Sequence, residues 1–293
     1  MTARPAPDPV ENEPNVNRNT SRLGQSFIFP PEVMDDIHIK SELGRYRMRG
    51  FSLFKPIPSW DDLTFLPGTL TRFVIEGYRE KCLTETVIGP NAKRPLVLDI
   101  PVYVTGMSFG ALSYEAKTAL ARGATMAGTA TCSGEGGMIP DERRYSSKWL
   151  YQCIQSRYGF NPHHLRLADA CEFFIGQGCK VGLGGHLMGQ KVTDQVAEMR
   201  SLPAGIDQRS PARHPDWLGP DDLSLKINEI REATDGQIPI QLKLGAARVY
   251  DDVRMALKTN PDSIYIDGME GSTGAGPHLA TEETGVPLSL IHI

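Results

Sequence analysis

From Leu96 onward the apolar residues of the chain switch repeatedly between a period of two and a period near 3.6. The clearest instance runs from Pro239 to Pro277. Ile240, Leu242 and Leu244 fall on one side of an extended segment, with Gln241 and Lys243 on the other. Asp251 to Leu257 carries a helical spacing (Val253, Met255, Ala256), and Asn260-Pro261 stops it. SIYID (263–267) is extended again and runs into the glycine-rich GMEGSTGAG. Strand, helix and strand within about thirty residues make a βαβ unit, with its loops at the strand C-terminal ends.

The same alternation recurs upstream. LVLDIPVYVTG (96–106) predicts a first strand, followed by GMSFGALS. Ser113 to Met126 predicts a helix with Ser113 as N-cap and Ala116, Leu120, Ala121 and Ala124 on one face. TATCSGEGG (129–137), YQCIQSRYG (151–159) and CEFFIGQG (171–178) predict three further strands. NPHHLRLADA is a helix capped by Asn161 with Pro162 at its first position, and PDDLSLKINEIREATDG is an amphipathic helix closed by glycine.

Six strands whose C-terminal ends carry glycine or polar residues predict an α/β fold, a (β/α)8 TIM barrel with its site on that face. A doubly wound sheet is the alternative. It places its phosphate loop after the first strand, where GMSFGALS lacks the GxGxxG spacing. Eight strands take about 250 residues, and about 190 lie between Leu96 and residue 287. The barrel is therefore expected to be incomplete, with about six strands. Residues 1–22, rich in Pro, Asn and acids, predict a disordered tail. Residues 23–94, punctuated by proline and with TRFVIEGYREK (71–81) as a candidate helix, predict an N-terminal arm packed on a barrel over 95–287. LSLIHI (288–293) matches the translation of a transposon-end sequencing adapter and is set aside as read-through. The last two strands are then expected to be missing from this chain, leaving open sheet edges and weak or no ligand binding at that face by residues 1–293 alone.

Composition removes several classes. A net charge of −4 with scattered basic residues leaves no nucleic-acid or anionic-membrane footprint. No apolar run approaches the roughly 20 residues a membrane span needs, and the N-terminus lacks signal-peptide regions. The five cysteines show no CxxC spacing, which argues against disulfide or zinc frameworks and fits a reducing cytoplasm. His163, His164, His186, His214 and His278 show no metal spacing either, so no metal site is expected. What remains is a strand lysine and a glycine nest on one end of a parallel sheet, which suggests an anionic ligand such as a phosphate. The plainer reading is a glycine turn and a solvated lysine.

GMSFGALS, SGEGG, QxxxSRYG with QGxKxGxGG, and LKLG with DGMEGSTGAG together resemble the FMN-binding synthase domain of glutamate synthase. RYGFNPHHLRLADA, AGIDQRSPARHPDWLGPDDL and DGMEGSTGA are similar to the stand-alone subunits of that family, including that of N-methylglutamate synthase. The resemblance covers about residues 45 to 287. It implies an FMN site with Met107, Ser108 and Gly110 against the ring, Gln152 on its pyrimidine edge and Lys243 near N1 and O2. It implies Gly271, Ser272, Thr273 and Gly274 at the phosphate, with Asp267 and Glu270 at the ribityl chain or capping the loop. For a dicarboxylate such as 2-oxoglutarate or glutamate it implies Arg157, Lys180 and Lys191, with Glu135 handling the amine or imine.

The resemblance further implies an FMN-dependent oxidoreductase that makes glutamate from 2-oxoglutarate and ammonia. N-methylglutamate synthesis from methylamine, a flavin-free scaffold and another FMN barrel such as a 2-hydroxy-acid oxidase stay open. The family's glutaminase cysteine follows Met1 directly. Here Thr2 does, so ammonia is expected from an amidotransferase-like partner and electrons from a second partner subunit. The family's iron–sulfur cysteines lie beyond the sixth strand and match none of the five present, so any iron–sulfur cluster would belong to the missing C-terminal region.

Overall fold

The computed structural model describes residues 28–44, 46–50, 53–271 and 273–291, so the expected tail over 1–22 and Ser272 lie outside the described residues. The first part of the chain holds α1 (Pro31–Leu43), β1 (Met48–Arg49), β2 (Thr86–Ile88) and β3 (Leu96–Leu98). The alternating part follows with α2 (Tyr114–Met126), β4 (Thr131–Cys132), α3 (Pro140–Tyr145), β5 (Trp149–Cys153), α4 (Pro162–Leu167) and β6 (Ala170–Phe174). A long excursion carries β7 (His186–Leu187), α5 (Asp194–Arg200), β8 (Gln208–Arg209) and α6 (Pro220–Ala233). The chain then returns through β9 (Ile240–Gly245), α7 (Val249–Leu257), β10 (Ser263–Asp267), β11 (Gly276–Pro277) and α8 (His278–Glu283).

Strands β4, β5, β6, β9 and β10 pair in that order, every pair parallel, with helices in the connections. The strand order follows the chain without reversal, which is the grammar of a barrel wall and not of a doubly wound sheet. Val104 extends the wall by a single parallel bridge to Thr131. The run 96–106 is thus not one strand, as its apolar content predicts. Leu96–Leu98 pairs antiparallel with Thr86–Ile88, and only Val104 reaches the sheet. Pro101 stands between the two pieces and has no N–H to give a ladder.

Side-chain alternation divides the sheet cleanly. On the outer face Trp149, Tyr151, Phe173, Ile240 and Leu242 pack with Leu165 of α4, Leu223, Ile227 and Ile230 of α6 and Ala256 of α7. Trp149 stacks on Tyr151 at 5.2 Å and Tyr151 on Phe160 at 5.1 Å. The inner face is apolar toward its lower end, with Leu96, Leu98, Leu150 and Ala170. Higher up it turns polar, with Gln152, Glu172, Gln241 and Lys243 all buried. Helix signals read from sequence hold locally: Ser113 Oγ accepts from Ala116 N–H, and Asn161 Oδ1 from His164 N–H.

The N-terminal segment meets the rest of the chain first through α1 and β1. Ile39 of α1 is buried, His278 sits 3.7 Å from Asp36, and β1 pairs antiparallel with β11. Further along, the candidate helix over 71–81 is irregular chain with a single turn over 77–79. Phe73, Val74, Ile75 and Tyr78 are all exposed, so no surface rewards an amphipathic helix there. Residues 288–290, set aside from the sequence, form a 3-10 turn in which Ser289 Oγ donates to Pro58 O at 2.7 Å.

Because Leu242 is fully buried between sheet and helices whereas Leu225 on α6 is 63% exposed, Leu242→Ala should cost about 2–5 kcal/mol. Leu225→Ala should change stability by less than about 0.5 kcal/mol. Chemical denaturation of the two variants checks this, and equal losses would contradict the assignment of the core.

Candidate functional site

The loops after the parallel strands enclose a cleft of about 390 Å³. Its walls bring together Met107, Ser108, Glu135, Gln152, Lys180 and Lys191 of the residues expected from sequence, and the far wall adds Thr273 and Gly274. Gly50, just after β1, completes that wall where the arm crosses the 273–274 backbone.

One buried ammonium holds the near wall. Lys117 of α2 donates to Met107 O and Ser133 O, each at 2.8 Å, and pairs with Glu142 Oε1 at 2.7 Å. Lys117 thereby ties the loop that presents Met107 and Ser108 to the loop that presents Glu135. Burial pushes the Glu142 carboxyl up, and the Lys117 charge opposes it. Removing one partner of such a pair costs roughly 3–5 kcal/mol. Glu135 Oε1 accepts from Ser156 Oγ at 2.7 Å and from Ser210 Oγ, so two hydroxyls from separate loops fix its carboxylate.

Three cations face the cleft without a carboxylate in ion-pair range among the described residues. Lys180, 3% exposed, donates among the described residues only to Ala275 O at 3.1 Å, and burial lowers its pKa. Lys191 makes no side-chain bond among the described residues. Among the described residues Arg200, 2% exposed, gives one hydrogen bond, to Phe109 O at 3.2 Å, and its Nε has no partner. Burial lowers the pKa of Arg200 too, against the fields of Glu135 and Tyr158. Sequence reading passed over Arg200 because it ends a short helix, where an arginine ordinarily serves the helix C-terminus.

Other expected residues stand elsewhere. Arg157 is turned away from the cleft. Its Nη2 bonds Asp216 at 2.7 Å, and its Nη1 reaches His214 Nδ1 and the Cys153 thiol, each at 2.8 Å. His214 is sandwiched between Phe173 and Trp217 with its pKa pushed down to about 4, chiefly by burial. Arg157, at φ 58°, is therefore the anchor of a loop, and its guanidinium is already satisfied by neighbours. Lys243 lies beneath the cleft on the inner face of the sheet, 3.5 Å from Asp267 and 4.6 Å from the Tyr265 ring centre. Burial disfavours its charge, but Glu172 and Asp267 outweigh that and raise its pKa.

Asp267 also accepts from Gly178 N–H at 3.2 Å, and Glu270 accepts from Leu288 N–H at 3.0 Å. Both acids thus accept backbone N–H groups of neighbouring loops, in keeping with the loop-capping role. Gly271 and Gly110 meet packing demands as well. A Cβ at Gly271 would come within 2.6 Å of Asp267 Oδ1, and Gly110, at φ +107°, would press on Leu187. Among the described residues no group of three or more His, Cys, Asp or Glu is placed to hold a metal ion, and no helix is long and apolar enough to cross a membrane.

A family profile described as "Conserved region in glutamate synthase" matches residues 68–291. The "Glutamate synthase large subunit-like protein" of Rhizobium meliloti is 50% identical over 264 residues, 90% of this chain and 60% of that one. An "Archaeal-type glutamate synthase (NADPH)" of Thermotoga maritima is 38% identical over 294 residues, covering 93% of this chain and 58% of its own. The chain therefore spans about 60% of the length of these relatives. A solved mandelate oxidase overlaps 62% of this chain at 18% identity and a TM-score of 0.38, covering 50% of its own chain, a likeness too slight to bear on function. The matched span contains every strand of the parallel sheet and the loops that build the cleft around Glu135 and Lys180, and the chain belongs to the glutamate synthase family.

Proposed function

We propose that this chain is the flavin-binding synthase part of an oxidoreductase that makes glutamate from 2-oxoglutarate and ammonia. The observation that carries the reading is the set of cations, Lys180, Lys191 and Arg200, facing one cleft beside a fixed carboxylate. Buried charge without a counter-ion is costly, and a dicarboxylate substrate together with a phosphate would supply what these side chains lack.

The residues fit FMN. A flat ring needs a wall it can approach closely, and Gly106 on the cleft lining offers bare backbone, packed from behind by Gln152 Nε2 and the Cys132 sulfur, which a Cβ there would meet at 2.8 and 3.1 Å. Met107 and Ser108 flank that bare backbone, Gln152 offers a polar edge, and Thr273 with Gly274 forms a loop suited to the phosphate. Lys243 below the cleft would sit beneath the ring with its charge shared with Asp267 and Glu172. When bound, FMN would supply hydride for reduction of an imine carbon. Lys180 and Arg200 would grip the two carboxylates and hold the carbon against the ring face. Glu135, fixed by Ser156 and Ser210, would stand where a proton can move to or from the nitrogen. Gly185 leaves room for this carboxylate, since a Cβ there would lie 2.5 Å from Glu135 Oε2. Ammonia and reducing equivalents would come from an amidotransferase-like and an electron-donating partner. The Rhizobium relative's description as subunit-like supports that division.

In the holoenzyme, Arg200→Gln should raise KM for 2-oxoglutarate about 10- to 100-fold, the worth of a hydrogen-bonded charge, with FMN content unchanged. An unaltered KM would remove Arg200 from the substrate site. Glu135→Gln should lower kcat by about 10²–10⁴ with little change in KM, and comparing ammonium with methylamine as the amine identifies the substrate. Because burial lowers the Lys180 pKa, its charge is present below that lowered value and lost as pH rises through it. The KM for 2-oxoglutarate should therefore climb on the alkaline side earlier than for an ordinary lysine, and Lys180→Arg should move the climb to higher pH. A flat alkaline profile in the wild type would contradict this.

A further inference from the structure

The inner face of the sheet carries a row of polar side chains whose purpose the proposal above leaves open. Glu172 is fully buried at the centre of β6. Strand register puts Gln152 of β5 on one side of it and Gln241 of β9 on the other. Glu172 Oε1 accepts from Gln152 Nε2 at 2.6 Å, and Oε2 accepts from Gln241 Nε2 at 2.8 Å. The Cys132 thiol lies 3.8 Å from Oε1, and Lys243, Tyr103 and Tyr265 sense the Glu172 charge. Gln241 is engaged at both ends, since its Nε2 also reaches Tyr103 Oη at 2.8 Å and its Oε1 accepts from Ser263 Oγ at 3.2 Å. Gln152 is different. Its side-chain nitrogen is committed to Glu172, its Oε1 has no partner among the described residues, and it lines the cleft.

A carboxylate offers only acceptor sites, so the amide opposite it must turn its NH₂ toward it. Reversing the Gln152 amide would set two acceptor oxygens 2.6 Å apart, inside a buried environment where unmatched polar groups are most costly. We infer that Glu172 is a positioning residue that locks the polarity of the Gln152 amide, so that the cleft presents an acceptor at that point and selects an N–H on its ligand. For a flavin this is the imide N3–H, and the inference rests on the flavin reading of the cleft. Gln152 thus distinguishes a ring edge by the proton it carries, and Glu172 supplies the distinction without touching the ligand.

The test reads the ring itself. In the FMN-loaded holoenzyme, loss of the flavin N3 proton is followed by absorbance as pH is raised. An acceptor facing N3–H favours the protonated form, so N3–H should titrate at a higher pH in the wild type than in Gln152→Leu, by about one pH unit. Glu172→Gln, which lets two amides pair in either sense, should give a similar fall. If Glu172 acts through Gln152, the double variant shifts no further than either single one. If the Glu172 charge acts on the ring directly, the two shifts add. Additive shifts, or an unshifted N3–H in Gln152→Leu, overturn the inference while leaving the flavin reading intact. A complete enzyme that takes up no FMN on reconstitution overturns both. Should Glu172→Gln not fold, Gln152→Leu alone decides, since the absence of a shift there is sufficient to reject the assignment.

Discussion

A buried ammonium must be surrounded by acceptors or it will not stay charged, and Lys117 meets that requirement with backbone that the site needs held still. Its bonds to Met107 O and Ser133 O draw together loops that follow different strands of the wall, and Glu142 balances the charge. Solvent reaches neither partner of the pair, so its Coulomb attraction is screened little and its loss would leave an uncompensated charge. Helices α2 and α3 are thereby clamped to the mouth of the sheet. A desolvated ion pair thus ties the near wall of the cleft together.

The far wall rests on the same physics one strand pair over. Lys243 meets Asp267 at the end of β10, and Asp267 in turn accepts from Gly178 N–H, which joins the loop after β6 to the glycine-rich loop. Glu172 links the two walls through Gln152 and Gln241. A sheet whose inner face is polar toward one end and apolar toward the other has a direction built into it. The apolar end packs on the β2–β3 hairpin through Leu96 and Leu98, and the polar end opens into the cleft.

Much of the architecture was legible because period-two and period-3.6 patterns alternate where the outer face meets helices. The alternation of Ile240 and Leu242 with Gln241 and Lys243 matches the two faces of β9. The failures have physical causes. Leu96 to Gly106 looked like one strand because apolar content does not register the missing N–H of Pro101. Phe73, Val74 and Ile75 looked helical, yet a periodic face forms a helix only where something covers it. Within the site, Met107, Ser108, Glu135, Gln152 and Lys180 were found through motif context and do gather at one cleft. Arg157 was misplaced because charge type was legible whereas its pairing with Asp216, nearly sixty residues away, was not. Arg200 and Glu172 were missed for the opposite reason. One ends a short helix and the other sits alone in the apolar run ACEFF, and only the tertiary fold reveals that the first lacks a counter-ion and the second has two amides.

The central claim is that this cleft holds a flavin and a dicarboxylate side by side. Titrating the oxidised holoenzyme with 2-oxoglutarate while recording the visible spectrum tests it most directly, because a carboxylate gripped by Lys180 and Arg200 must alter the field at an adjacent ring. In the complete, FMN-loaded enzyme the expected result is a saturable spectral change that Arg200→Gln weakens. A flavin spectrum indifferent to saturating 2-oxoglutarate would contradict it.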